Sequence, residues 1–178
     1  VMGGKRGTPC TVPVNTDLMR FLGYFIAEGS ALVSSSRTHL VSFALGPKDD
    51  AIVEDLRGIA RRLFKTEIHE FRKGTARKVN LTDKIVYLFL VHVLGVALGA
   101  HRKRVPAVVL NAEPSLQMEF VKAYWAGDAD VTVSRQLMSD LLYLFLFQGV
   151  VASTHFDDAV RTAWLRGRPI TSRGFFQL

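Results

Sequence analysis

One pattern occurs twice in this chain. In Phe21-Leu-Gly-Tyr-Phe-Ile-Ala-Glu28-Gly29, Gly23 and Ala27 stand four apart and a carboxylate follows at once. In Phe120-Val-Lys-Ala-Tyr-Trp-Ala-Gly-Asp128-Ala129, Ala123 and Gly127 repeat the arrangement before Asp128. Residues four apart share one helix face. Small side chains on that face let two helix backbones approach closely. The duplication therefore predicts a central helix pair with Gly23, Ala27, Ala123 and Gly127 at its interface. Glu28 and Asp128 would meet at one end of the pair. An acid in the last helical turn opposes the helix dipole by about 0.3–1 kcal/mol, and a local rule broken twice at matching positions points to function. Two carboxylates with ordinary pKa values of ~4 would both be ionised near neutral pH and repel one another. Bound divalent cations would remove that conflict.

The rest of the chain organises around these helices. Val1 to Pro13 reads as a leader rich in glycine and basic residues. A helix is expected from about Asp17, its N-cap, to Glu28. Residues 31–33 and 39–45 form strands around Ser34-Ser-Ser-Arg37. Residues 48–65 form an amphipathic helix, with Ile52, Val53, Leu56, Ile59, Ala60, Leu63 and Phe64 at helical spacing. A second hairpin spans 67–72 and 76–81. Thr82 is expected to cap an apolar helix running to Val96. A short helix follows over 106–111, and Ser115 caps the second motif helix. Ser134 caps a helix over 134–147, closed by Gly149. Strands are expected over 150–157, 161–165 and 170–178. The repeat unit is thus helix, hairpin, helix, hairpin. Residues 14–112 form the first copy, and 113–178 a shortened second copy.

These segments resemble a known family. The two motifs, with Pro13-Val-Asn-Thr-Asp17 leading into the first and Ser134-Arg-Gln-Leu-Met-Ser-Asp following the second, are similar to the paired motifs of single-chain LAGLIDADG homing endonucleases of the archaeal intron and intein type. The resemblance covers roughly Val12 to Ser153. It implies a mixed α/β (α+β) fold with pseudo-twofold symmetry, in which two antiparallel sheets form a DNA-binding saddle around the helix pair. It implies a monomeric, metal-dependent endonuclease that cuts both DNA strands at a long asymmetric site and promotes intron or intein mobility. Glu28 and Asp128 would bind Mg2+, which Mn2+ can replace, with the backbone carbonyls of Ala27 and Gly127 as further ligands. Lys48 and Arg135 align with basic residues that the family uses near the attacking water and scissile phosphate. The implied setting is archaeal, cytoplasmic and nucleoid-associated. No splicing residues accompany the match: Cys10 lacks intein context, and no terminal His-Asn pair follows.

Charge agrees with a nucleic-acid partner. The formal net charge is +7, which favours anionic partners. A two-stranded ribbon fits the DNA major groove. Arg37, His39, Arg72, Lys73, Arg77 and Lys78 lie on the hairpins of the first copy. Arg161, Arg166, Arg168 and Arg173 lie on the terminal ribbon, after which no acid follows Asp158. The basic run His101-Arg-Lys-Arg104 is expected to touch phosphate or simply to be exposed. A lone cysteine, Cys10, excludes an internal disulfide and a cysteine-based zinc site. The apolar stretch 85–100 contains His92 and is shorter than the ~20 residues of a membrane span.

Two features depart from the family pattern. Ala129 stands where glycine is usual, and five residues separate Asp128 from Ser134 where nineteen separate Glu28 from Lys48. The first hairpin of the second copy is reduced to Val131-Thr-Val133. Both favour a rival reading, a catalytically inactive binder: an intron RNA maturase or a DNA-binding regulator.

Overall fold

The computed structural model describes residue 9 and residues 11–73, 76–128, 131–165 and 168–178. Helix α1 (Thr16–Glu28) lies at the centre, with Leu18, Met19 and every residue from Phe21 to Ala27 buried. Its cap is Asn15, in extended backbone, whose side chain accepts the Leu18 N–H at 3.1 Å. The expected cap, Asp17, sits two residues further in, within the first turn, and accepts two hydrogen bonds from the Arg62 guanidinium, at 2.7 and 2.8 Å. This fork holds the Asp17 carboxyl below the ordinary carboxylate range. The stability it contributes is complete above the unfolded-state value near ~4 and is lost as pH falls through the depressed folded value. Asp17→Asn is therefore expected to flatten the acid limb of the melting temperature between about pH 5 and 2. An unchanged acid limb would remove this pair as a contributor.

Sheet one is antiparallel, with strands β1 (Gly29–Val33), β2 (His39–Leu45), β3 (His69–Lys73) and β4 (Ala76–Leu81) in the order β1-β2-β4-β3. Its inner face carries Ala31, Val41, Phe43, Leu45, Val79 and Leu81, all buried. Helix α2 (Asp50–Phe64) adds the seven apolar positions expected from its periodicity, and each is buried. Phe21 joins the layers, edge-on to Phe43 at 5.6 Å and to Phe64 at 5.1 Å.

The expected helix over 82–96 is broken. Asp83, not Thr82, caps it by accepting the Ile85 and Val86 N–H groups. Regular helix α3 spans only Lys84–Leu88, then widens into a π turn over Phe89–Val93. Gly95 takes a positive φ of 64°, and the chain turns back there. No helix among the described residues is long and apolar enough to cross a membrane.

A short α4 (Ala107–Leu110) leads to α5 (Pro114–Asp128), the second motif helix. Pro114 takes its first position, where a missing N–H costs nothing. The Glu113 carbonyl accepts from Leu116 and Gln117, so the helix starts one residue before the expected Ser115 cap. Helix α6 (Arg135–Phe147) is capped by Ser134, as expected. Sheet two contains β5 (Val131–Thr132), β6 (His155–Leu165) and β7 (Arg168–Gln177) in the order β5-β7-β6. The two segments expected around residues 157 and 161 are one strand, irregular between Asp157 and Val160.

Candidate functional site

The helix pair α1–α5 is closed by its small residues. A Cβ added to Gly23 would lie 2.5 Å from the Phe120 carbonyl oxygen and 2.7 Å from the Ala123 Cβ. One added to Gly127 would lie 2.7 Å from the Ala27 Cβ and 3.4 Å from the Glu28 Cγ. Gly23 thus faces Ala123, and Gly127 faces Ala27, as the repeated spacing predicts. The Glu28 side chain lies against the backbone of the residue that precedes Asp128, so the acidic ends of the two helices converge. Asp128 closes α5, and its carboxylate lies outside the described residues. The residue after Glu28 must be glycine for reasons of space: a Cβ on Gly29 would meet the Phe25 carbonyl oxygen at 2.4 Å. Its counterpart, Ala129, is outside the described residues.

The connector adds a residue that the sequence did not single out. The Lys103 ammonium donates to the Ala27 carbonyl oxygen at 2.8 Å, across 76 residues of sequence. Three further bonds hold it there. The Ser134 hydroxyl donates to the Lys103 carbonyl at 2.6 Å, the Val105 N–H donates to Asp140 at 3.0 Å, and the Gln136 amide donates to the other Asp140 oxygen at 2.9 Å. Asp140 is 4% exposed, with the Arg104 guanidinium 3.5 Å away. Lys103 and Ala27 line a hollow of about 220 Å³ together with Ala100, Val131, Thr132 and Val133. No local pattern marks Lys103 within a basic run; only the fold brings it to the helix end. Asp140→Ala is expected to cost about 1–3 kcal/mol by orphaning the buried Val105 N–H. Thermal unfolding of the variant checks this, and an unaltered melting temperature would refute it.

Lys48 is exposed in the turn before α2, and Arg135 is exposed at the first position of α6. The basic hairpin residues divide by register. Directly paired residues in an antiparallel ladder share one face. Arg37 is exposed at the tip of the β1–β2 hairpin, and Lys78 is exposed on the open face of sheet one. Three expected DNA-contacting residues lie on the side of the sheet that meets α2, although the Arg72 side chain stays 64% exposed there. His39 shares its side with Val41 and meets the Tyr87 ring edge-on at 4.9 Å. Arg77 is 5% exposed and bonds Glu70 at 2.9 Å and Asp50 at 2.6 Å. Arg72 pairs with Arg77 in register and also bonds Glu70. Charge type alone predicted a DNA face, whereas strand parity assigns these cations to acids beside α2. Lys73 ends β3 with its side chain outside the described residues. Arg161, Arg168 and Arg173 lie on the β6–β7 ladder, opposite Ser172, Leu165 and Val160; their side chains, and all of Arg166, are outside the described residues.

No family model matches the chain. A DNA polymerase II large subunit from Thermococcus kodakarensis is 30% identical over 162 residues, covering 85% of this chain and 9% of that protein. A DNA polymerase from Thermococcus aggregans is 28% identical over 130 residues, covering 72% of this chain and 7% of the polymerase. The chain therefore spans less than a tenth of these relatives. An uncharacterised protein of Methanocaldococcus jannaschii is 23% identical over 163 residues, 18% of its length. Among solved structures, the homing endonuclease I-DmoI in complex with DNA and Mn matches with a TM-score of 0.65 at 14% identity, covering 93% of this chain and 90% of that one. An I-DmoI complex with target DNA and Mg matches equally well, covering 92% of this chain.

Proposed function

From the premise that this chain has the LAGLIDADG homing-endonuclease fold, we propose that it is a site-specific DNA endonuclease that hydrolyses both strands at a long asymmetric site. The observation that carries this is the convergence of Glu28 on the end of the second motif helix, with the Lys103 ammonium on the Ala27 carbonyl beside it. We read 14–112 and 113–178 as the two units of a monomer, and double-stranded DNA as its partner. A match confined to less than a tenth of two archaeal polymerases fits a mobile element inserted in a larger gene.

A hard divalent cation, Mg2+ or Mn2+, suits a donor set of carboxylate and carbonyl oxygens. The Ala27 carbonyl is an oxygen of this kind, and its present bond to the Lys103 ammonium is one that a cation there would displace. Glu28 and Asp128 would hold the metal, with the Ala27 and Gly127 carbonyls as further donors. When bound, the metal supplies an activated water and stabilises the leaving oxygen of an in-line displacement. The Lys103 ammonium, on the Ala27 carbonyl, offers its charge to the scissile phosphate. Lys48 and Arg135 serve the same phosphates from the two flanks, though the Arg135 guanidinium cannot tune a water as an amine can.

Cleavage of a randomised-site plasmid library with Mg2+ tests the reading. Double-strand breaks at one recovered sequence support it. DNA binding without any cut, with or without metal, favours the inactive-binder reading, to which the two-residue β5 lends weight.

A further inference from the structure

The open face of sheet one is unlike a solvated sheet face. Such faces are ordinarily polar. Here register arranges it in three rows. Leu32 pairs with Leu40. Next come Ser30, Ser42, Asn80 and His69, then Ala44, Lys78 and Phe71. Phe71 is 57% exposed and Leu32 is 37% exposed. Among the described side chains Lys78 is this face's one lysine or arginine, since Arg72 and Arg77 are held by acids on the other side. The middle row is pre-set: the Ser42 hydroxyl, of a residue only 1% exposed, donates to the Asn80 side-chain oxygen at 2.8 Å, which leaves the Asn80 amide hydrogens as donors.

We propose that this face selects its half-site by contact with thymine methyl groups, the Leu32–Leu40 row and Phe71 each seating one or more. The inference rests on the DNA-cleaving reading and specifies what one half of the site contains. In the major groove the thymine C5-methyl is the apolar feature a side chain can seek. A face whose large exposed side chains are leucine and phenylalanine gains by covering that methyl, and loses by facing an amino group it cannot hydrogen-bond. Spacing sets a register. Strand residues rise by ~3.3 Å, so rows two residues apart are ~6.6 Å apart, against ~3.4 Å per base pair. With the ribbon along the groove, the two apolar rows fall about four base pairs apart. The polar row reads hydrogen-bonding edges between them. The result is a half-site with thymines at two positions about four pairs apart.

The test uses the full chain and the duplex recovered by cleavage selection. Each thymine in turn is replaced by deoxyuridine, which removes the methyl and keeps the pairing. Affinity is expected to fall about fourfold per methyl at the two rows and to stay level in the other half. Phe71→Ser and Leu32→Ser, both at exposed positions, should bind thymine and deoxyuridine duplexes alike, and the deoxyuridine duplex as well as wild type does. Cleavage with no response to deoxyuridine, or a recovered half-site without thymine at that spacing, overturns the inference and leaves the endonuclease reading intact. Failure to bind any duplex overturns both.

Discussion

Glu28→Gln is expected to leave DNA binding within about threefold of wild type while lowering double-strand cleavage by about a thousandfold, the scale of losing charge stabilisation that acts on the transition state. The amide keeps the shape of the side chain against Gly127 and removes its charge. The stability of the fold should not suffer. An acid in the last turn of α1 opposes the helix dipole, so the melting temperature should hold or rise slightly. That combination separates a residue retained for chemistry from one retained for structure: activity collapses while stability does not. Lys103→Met is the companion experiment. It should lower cleavage with little change in binding, because the Lys103 ammonium reaches the helix end at Ala27 rather than the exposed sheet. Single-turnover cleavage and filter binding on the recovered site measure both. Wild-type cleavage by Glu28→Gln would remove the acid pair as the chemical centre.

Gly23→Ala should destabilise the chain by about 2–3 kcal/mol, a drop in melting temperature of roughly 5–10 °C for a chain of this size. Ordinarily glycine to alanine inside a helix stabilises by about 0.5–1 kcal/mol. The sign reverses because the new Cβ meets the Phe120 carbonyl oxygen at 2.5 Å and the Ala123 Cβ at 2.7 Å. Backbone must move, and the two helices must part. Gly58→Ala provides the control within the same protein. There the added Cβ meets only the end of the Arg62 side chain, at 2.7 Å; shifting it disturbs the exposed fork to Asp17, a loss of about 0–1 kcal/mol that the gain in helix propensity offsets, so the substitution should be near neutral. Differential scanning calorimetry of both variants tests the contrast; equal shifts would mean that the helix pair is not held by close approach.

The sequence made the helix pair legible because two small residues four apart, repeated, admit few packing solutions. Gly23 opposite Ala123 and Gly127 opposite Ala27 follow from that spacing. The amphipathic α2 was equally plain, since its seven apolar positions are set by one period. What escaped were features decided by partners far along the chain. Arg72 and Arg77 carry the right charge for DNA, yet strand parity turns them to Glu70 and Asp50. His39 lies on the same side, against Tyr87. A two-residue period is easily read, but which phase faces inward depends on what packs behind the strand. Lys103 was hidden in a run of similar cations and is distinguished by one hydrogen bond to a residue 76 positions earlier. The caps at Asn15, Asp83 and Glu113 lie one or two residues from the expected ones, and at the first of them the expected residue, Asp17, is taken up by Arg62.

The stitching of the connector to α6 bears on how such chains can be recombined. Residues 101–106 look like a neutral joint at which one half could be traded for that of a relative. Lys103, Val105 and Arg104 are instead tied to Ser134 and Asp140, so the joint travels with the second half and reaches back to the first through Ala27. A chimaera spliced after Pro106 would inherit a connector with foreign anchors and misdirect its lysine. One spliced at Gly99, exposed and at a φ of 93°, would keep connector and anchors together. The Ala27 contact and the small-residue faces of α1 and α5 would then need to be matched between parents.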